Sequence, residues 1–421
     1  MEKLLFLGID TSTKYILQYA HSIGVYTIIS DMYPEDSNPV KKLADETWQI
    51  DIKDLDKLEK ACREQGITGV YNGNHDICLD YVRELSLRLF GEFYASDQAW
   101  ECSRDKLEFK KECALVGLTV PKSYYLSSFP MKEIQNELTF PVVVKPADCF
   151  ASQGVSICND LEELKKGIDV AYTVSPKKKI IVEEHIDGDE YGVGFIFDRG
   201  KVSQIEFTRL YKYGFNNINR LVFARHIIDP DICKEYLSAV HDKVQKLFHN
   251  IRVEKGGGFI QMIYRDHTFY LLEFGYRLDG VGSWMTRKLN SGFSTAEYLT
   301  NVVLHRDLSA LGNKVRELSS STIYYGGEYF PVVRSGKIDR IEGLEAVKAM
   351  DRVEVILERF HEGDQVGITN SMYQIAYYIS IGASSNVETA RKLKKINDTL
   401  HIYDENGVDM LYKFERYKVF N

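Results

Sequence analysis

The sequence predicts a multidomain protein of α/β and α+β type: a doubly wound parallel β/α domain, then a larger mixed domain, then a small β-rich domain. Three observations carry that expectation. Residues 1–95 alternate short apolar runs with helical patterns. The middle of the chain turns to paired strands rich in aromatic and branched residues. From about Ser320 short strands prevail, with two helices among them. The boundaries fall at 1–95, 96–319 and 320–421, within the range of two to four domains expected for about 400 residues.

In the first segment LLFLGI is a strand, Tyr15 to Ile23 a helix, VYTIIS a strand closed by Asp31, and DLDKLEKACREQG a second helix. GVYNG and a helix from Cys78 to Phe90 complete a series that folds as a parallel sheet. Asp31 stands where a ribose-binding acid would, but GIDTST after the first strand lacks the GxGxxG turn of a dinucleotide site. Asp31 is therefore expected to be structural.

The net charge of −8 is spread along the chain without a basic run, so nucleic acid is not an expected partner. No apolar run approaches the ~18 residues of a membrane span, and the amino terminus has no signal-peptide pattern; a cytoplasmic protein is expected. Cysteines at 62, 78, 102, 113, 149, 158 and 233 are odd in number and contain no CxxC pair. They read as reduced thiols, not as a disulfide framework or a zinc site.

The stretch from Gly258 to Gly280 places charge among apolar strands. GFIQMIY and TFYLLEFGY form a hairpin about the polar RDH, which sets Gln261 opposite Glu273 and Phe259 opposite Gly275. Alternation puts Gln261, Ile263, Leu271, Glu273, Gly275 and Arg277 on one face, and Leu272, Phe274 and Tyr276 on the other. A carboxylate on a half-buried face needs a partner. Arg277, about 13 Å along the strand, is too far to be it. Glu273 is thus either a Mg²⁺ ligand, with Arg277 on phosphate, or a solvated edge-strand acid.

Other stretches add cations. RDKLEFKKECALVGLTVP is a charged helix whose first-turn Lys106 opposes the helix dipole, so it faces either an anion or water. FPVVVKPADCFASQGVSI reads as a buried strand ending in Lys145, a loop containing Ser152 and Gly154, and a second strand; that combination suits polyphosphate, although no GxxxxGK[ST] is present. Glu183 and Glu184 end an apolar strand and Glu190 opens the next, positions that suit ribose hydroxyls or plain surface acids. Arg220 and Arg225 lie in a cationic stretch suited to an anionic substrate or to solvent.

Taken in this order, DKLEFKKECALVGLTVP, PVVVKP, VEEHIDGDEYGV, LLEFGYRLDG, GKIDRIEGLEAV and EGDQVG resemble the ATP-grasp superfamily of carboxylate–amine ligases, most nearly its L-amino-acid ligase branch. The resemblance implies an ATP-grasp fold using ATP and Mg²⁺ (or Mn²⁺). It implies Lys106 and Lys145 on the phosphates under a loop containing Ser152 and Gly154. Adenine would meet the VEEHI segment, with Glu183, Glu184 and Ile186, and ribose would meet Glu190. Glu273 and Gln261 would be metal positions, Arg277 a phosphate-binding and, with Lys145, a catalytic residue; Arg220, Arg225 and Arg287 would be available to a substrate carboxylate. The implied reaction activates a small carboxylate as an acyl phosphate and joins it to an amine, with ADP and phosphate released, in a monomer or homodimer. Gln261 and Gly275 depart from the acid and asparagine of the pattern. That departure keeps open a noncatalytic ATP-binding protein, beside a purine-pathway-type ligase.

Overall fold

The computed structural model describes residues 1–9, 13–72, 76–124, 138–149, 153–215, 218–225, 230–279, 282–312, 315, 325–367 and 374–414, the side chains at 212–230, 310 and 312 excepted. The chain divides into two compact units, one built from 1–94, 205–230 and 277–421, the other from 95–204 and 231–276.

The first unit opens with a four-stranded parallel sheet, ordered Glu46–Gln49, Tyr26–Asp31, Lys3–Leu7, Gly69–Tyr71. Helices Thr13–Ser22, Leu55–Gln65 and Asp76–Phe90 alternate with its strands, as the apolar periodicity predicts. Asp54 caps the second helix by accepting from Lys57 N, and Gly66 at φ 69° ends it in the left-handed conformation glycine adopts without strain. Leu5, Leu7 and Ile28 pack against Leu58, Val82 and Leu85 in one core cluster. Asp31 is structural: its carboxylate receives the ammonium of Lys41, which is 2% exposed, at 2.5 Å. The strand Glu46–Gln49 is an element that the sequence reading did not place.

A second sheet in this unit is antiparallel, in the order Lys201–Phe215, Ile218–Arg225, Tyr325–Tyr329, Tyr377–Ala383, Val353–Glu358. Helices Ser283–Ser291 and Asn386–Thr399 lie against it, the second capped by Ser385. Its core is continuous from Tyr329 and Tyr377 to Ile379, Leu393 and Ile396.

The second unit has two antiparallel layers. A small sheet is ordered Ser123–Tyr124, Ile180–Glu184, Val142–Pro146, Ser156–Cys158, and the helix Leu161–Val174 covers it through Leu164, Ile168 and Ala171. The other layer pairs Asp189–Asp198, Lys255–Arg265 and Thr268–Gly275. Behind it Phe197, Phe248, Phe274 and Tyr276 form an aromatic cluster, with Phe197 and Phe248 centroids 4.9 Å apart. All seven cysteines are buried free thiols.

The hairpin corrects one expectation. Gln261 does pair with Glu273, and Phe259 with Gly275, but the turn is a two-residue one at Asp266 and His267, both at positive φ. A bulge between Gln261 and Met262 restores the pairing, with Leu272 as the extra residue. The side-chain alternation therefore shifts within LLE. Leu271 is fully buried, as are Phe269 before the bulge and Phe274 beyond it, whereas Leu272 and Glu273 are both half-buried. Leu271 belongs with the buried set, and Leu272 does not.

Candidate functional site

Strand Val142–Pro146 and strand Ile180–Glu184 run antiparallel with Lys145 opposite Ile181 and Val143 opposite Glu183. Lys145 and Glu183 are thus diagonal neighbours on one face, close enough for long side chains to meet. Asp105 caps the helix Lys106–Leu115 by accepting from Leu107 N at 2.9 Å. Phe109 and Cys113 bury the helix, with the Phe109 ring stacked on Phe274 at 6.3 Å. That docking carries Lys110 into the same buried stripe.

Glu183 consequently holds two ammonium groups. Lys110 Nζ donates to Oε2 and Lys145 Nζ contacts Oε1 in short ion pairs, with the three side chains between 3% and 9% exposed. Burial pushes the Lys110 ammonium down, to about 8, and the like charge of Lys145 adds to that; Glu183 opposes both. For Glu183 burial pushes the carboxyl up, but Lys145 and Lys110 outweigh it and hold it below the ordinary glutamate range. With all three ionised the cluster carries one surplus positive charge in a desolvated setting. An anion supplied from outside is the group that compensates it.

Lys106 lies one helical turn before Lys110. Its Nζ donates to Cys149 O at 2.7 Å and sits 3.0 Å from Glu273 Oε2, while its backbone N–H donates to Ala147 O. The helix start, the end of the lysine-bearing strand and the hairpin acid therefore converge. Gly154 has φ 70° and a Cβ there would lie 3.0 Å from Pro146 Cγ, so the turn after the loop requires glycine. Ser152 lies outside the described residues. Asp148 is buried on structural duty, accepting from Ser175 Oγ and Lys177 N, each at 2.7 Å.

The remaining expected residues are dispersed. Glu184 accepts from Lys122 N at 2.8 Å, Ile186 is buried, and Glu190 sits half-buried on Asp189–Asp198 opposite Ile263. In the first unit Arg277 is engaged bidentately, its Nε and one terminal nitrogen each 2.5 Å from the Asp76 carboxylate, at the first turn of Asp76–Phe90. Asp279 accepts from Gly282 N and Ser283 N ahead of the following helix. Arg287 is buried and donates to Glu206 and Thr295. Arg220 and Arg225 lie on the strand Ile218–Arg225, with side chains outside the described set. Lys110 and Asp76 were missed by the sequence reading. Lys110 had a signal, a lysine interrupting the buried Phe109 and Cys113 face; Asp76 had none at its distance from Arg277 in sequence.

The metal positions are sparse. Among the described residues no group of three His, Cys, Asp or Glu side chains is placed to hold an ion. At the positions expected for a metal, Glu273 has a carboxylate, in contact with Lys106, and Gln261, directly across the ladder, an amide. Gly275 has no room for a ligand, because a Cβ there would fall onto the Phe259 ring, 2.5 Å from Cε1. Gly275→Asn is expected to lose about 1–3 kcal/mol by overpacking, read by urea denaturation, and Phe259→Ala in the same chain should recover part of that loss.

These features define a multidomain α/β protein with buried lysines on a small antiparallel sheet. Residues 138–284 match the ATP-grasp domain. It is 24% identical over 301 residues to the carbamoyl phosphate synthase large chain of Caldanaerobacter subterraneus subsp. tengcongensis, covering 69% of this chain. It spans only 27% of that relative's length. It is 34% identical over 152 residues to the D-alanine--D-alanine ligase of Wigglesworthia glossinidia brevipalpis, 34% of this chain and 41% of that one. Among solved structures, the L-amino acid ligase of Bacillus licheniformis matches with TM-score 0.77 at 18% identity, over 96% of this chain and 99% of that one. The biotin carboxylase domain of a Hydrogenobacter thermophilus 2-oxoglutarate carboxylase, in complex with MgADP and bicarbonate, matches with TM-score 0.76 at 15% identity, over 97% and 91%. At these identities the structural likenesses establish the fold.

Proposed function

We propose that the chain is an ATP-dependent carboxylate–amine ligase acting on an amino acid or another small carboxylate. The observation that carries the reading is the surplus positive charge of the Lys110–Glu183–Lys145 cluster, of which Glu183 and Lys145 lie within the matched residues 138–284, together with the contact of Lys106 and Glu273. A polyphosphate suits it. In this reading Lys106 and Lys145 bind phosphate oxygens, the loop through Ser152 and Gly154 covers them, and the Glu183, Glu184 and Ile186 segment receives the base. Glu190 takes the ribose, and Arg277 exchanges Asp76 for phosphate. Glu273 and Gln261 would hold Mg²⁺ (or Mn²⁺), which supplies neutralisation of phosphate charge when bound. The three segments 1–95, 96–319 and 320–421 are kept as the functional divisions, in a cytoplasmic monomer or homodimer.

Transfer of the γ-phosphoryl group to a carboxylate oxygen replaces a poor leaving group, oxide, with phosphate. Attack by an amine then forms the amide, and the amine's proton leaves with phosphate. No enzyme nucleophile is required, so positioning and electrostatic stabilisation supply the catalysis. Arg220, Arg225 and Arg287 remain the proposed contacts for a substrate carboxylate, with Arg287 already committed to Glu206.

Phosphate release from ATP and Mg²⁺, with pooled amino acids and small carboxylic acids against a no-substrate control, tests the reading. Release that depends on a pool component is the expected result. ATP binding with no substrate-dependent release from any pool would support the second reading, a noncatalytic nucleotide-binding protein. That alternative is favoured by the Phe259 ring over Gly275 and by the sparse metal positions. In the ligase, Glu273→Gln should lower Mg²⁺-dependent turnover at least tenfold, about 1.4 kcal/mol, and Gln261→Glu should be tolerated and tighten the Mg²⁺ dependence; unchanged turnover in Glu273→Gln would refute the metal assignment.

A further inference from the structure

The ligase reading gives Lys106 and Glu273 different ligands, phosphate and a divalent ion, but the two side chains meet each other. Lys106 Nζ lies 3.0 Å from Glu273 Oε2. The ammonium also donates to Cys149 O at 2.7 Å, and the backbone N–H of the same residue donates to Ala147 O.

This is not a loose surface pair. The Lys106 side chain is 13% exposed and Glu273 is half-buried. Phe109, three residues along the helix from Lys106, is fully buried and stacks on Phe274, the residue after Glu273. Helix and hairpin are packed together at this point, so lysine and carboxylate are brought face to face by the fold itself. An exposed pair must instead immobilise two long side chains to form, which is why such pairs contribute little.

An ion at the expected metal positions has one carboxylate to use. Gln261 is uncharged, and Gly275 lies against the Phe259 ring. Mg²⁺ and Mn²⁺ favour hard anionic oxygens, so Glu273 decides whether an ion is held, and its charge is already matched by Lys106. An arriving ion either displaces the ammonium or joins it on one carboxylate, within the range of about 4–6 Å over which like charges disfavour each other. A displaced ammonium that is largely shielded from water needs another anion. A polyphosphate meets both demands, because its oxygens can accept from the lysine and coordinate the ion together.

We propose that Lys106 is the internal counter-ion of Glu273 and keeps the metal position closed until a polyphosphate receives the ammonium. The divalent ion then enters with the nucleotide or after it, and not before. By linkage, nucleotide and ion strengthen each other's binding by the same factor. The inference rests on the ligase reading for the assignment of Glu273 to the metal and Lys106 to phosphate.

Titration of the full chain with Mn²⁺ in the absence of nucleotide, the free ion being read by its electron paramagnetic resonance signal, tests this. The wild type is expected to bind weakly and Lys106→Met at least about fivefold more tightly, the lower end of the usual coupling between sites. Lys106→Gln, which keeps a donor at that position, should show the same gain, so a folding defect in one variant does not decide the result. Lys110→Met removes the same charge one helical turn away and should show no gain, which separates the contact from the general field. In the double variant Lys106→Met, Glu273→Gln the gain should vanish with the carboxylate. Equal Mn²⁺ binding, or none, in the wild type and both Lys106 variants would overturn the inference. A gain in Lys110→Met equal to that in Lys106→Met, or a gain that survives the loss of Glu273, would also overturn it. Calorimetric titration of the wild type with ATP and Mg²⁺ keeps the ligase reading separate: absence of ATP binding would sink that reading, and the Mn²⁺ result would still decide whether ammonium and ion exclude each other at Glu273.

Discussion

Glu183→Gln is expected to destabilise the second unit by about 3–5 kcal/mol, the usual cost of removing one partner from a buried ion pair. The substitution preserves shape and removes charge. Two ammonium groups then remain buried with an amide between them. Urea denaturation at several pH values separates this electrostatic loss from loss of packing. The depressed Glu183 carboxyl contributes stability that is present above the ordinary glutamate pKa and lost as pH falls through its lower folded value. In Glu183→Gln that acid-side contribution should vanish. The deficit should also shrink as pH rises through about 8 and Lys110 discharges. A deficit independent of pH from 5 to 9 would mean that Glu183 acts through packing and that the charge argument is wrong.

The same cluster marks what the sequence could and could not disclose. The parallel sheet was legible because LLFLGI, VYTIIS and GVYNG are short apolar runs separated by amphipathic helices, a pattern that depends on neighbours in sequence. The pairings of Gln261 with Glu273 and Phe259 with Gly275 were legible for the same reason, since a hairpin is local. The bulge was not. It cancels the difference between a three-residue and a two-residue turn, so the pairing survives while the faces of Leu271 and Leu272 change over. Lys145 and Glu183 were each legible as charged residues at strand ends. Their contact depends on the register between strands almost forty residues apart, which no local periodicity fixes. Lys110 enters through helix docking, and Asp76 meets Arg277 across 201 residues of sequence. Such long-range pairs are set by tertiary packing. Gly275 illustrates the converse: its missing side chain was plain in the sequence, but the reason for it, the Phe259 ring above, needed the register.

Lys145→Met is expected to weaken ATP binding by about 2–5 kcal/mol, the range for truncating one member of a buried charge pair. Lys110→Met should cost less, because Lys110 adds to the field at the site while both Lys145 and Lys106 remain to meet the anion. Its effect should instead appear in pH dependence. The Lys110 ammonium is held down to about 8 by burial first, with Lys145 adding to it. Below that pH the cluster carries its surplus charge and ATP binds best; as pH rises through about 8 the charge is lost and affinity should fall. Stability moves the other way. The unfolded chain binds this proton up to the ordinary lysine pKa of about 10.4, so between about 8 and 10.4 the unfolded state holds more protons and stability from this group rises with pH. Bound ATP should reverse part of the shift by favouring the charged lysine, so binding above pH 8 should take up a proton. Calorimetry in buffers of different ionisation enthalpy measures that uptake directly. Loss of the proton uptake in Lys110→Met, with binding retained, would place the titration on Lys110; uptake that persists in that variant would place it elsewhere and break the link between the buried cluster and the nucleotide.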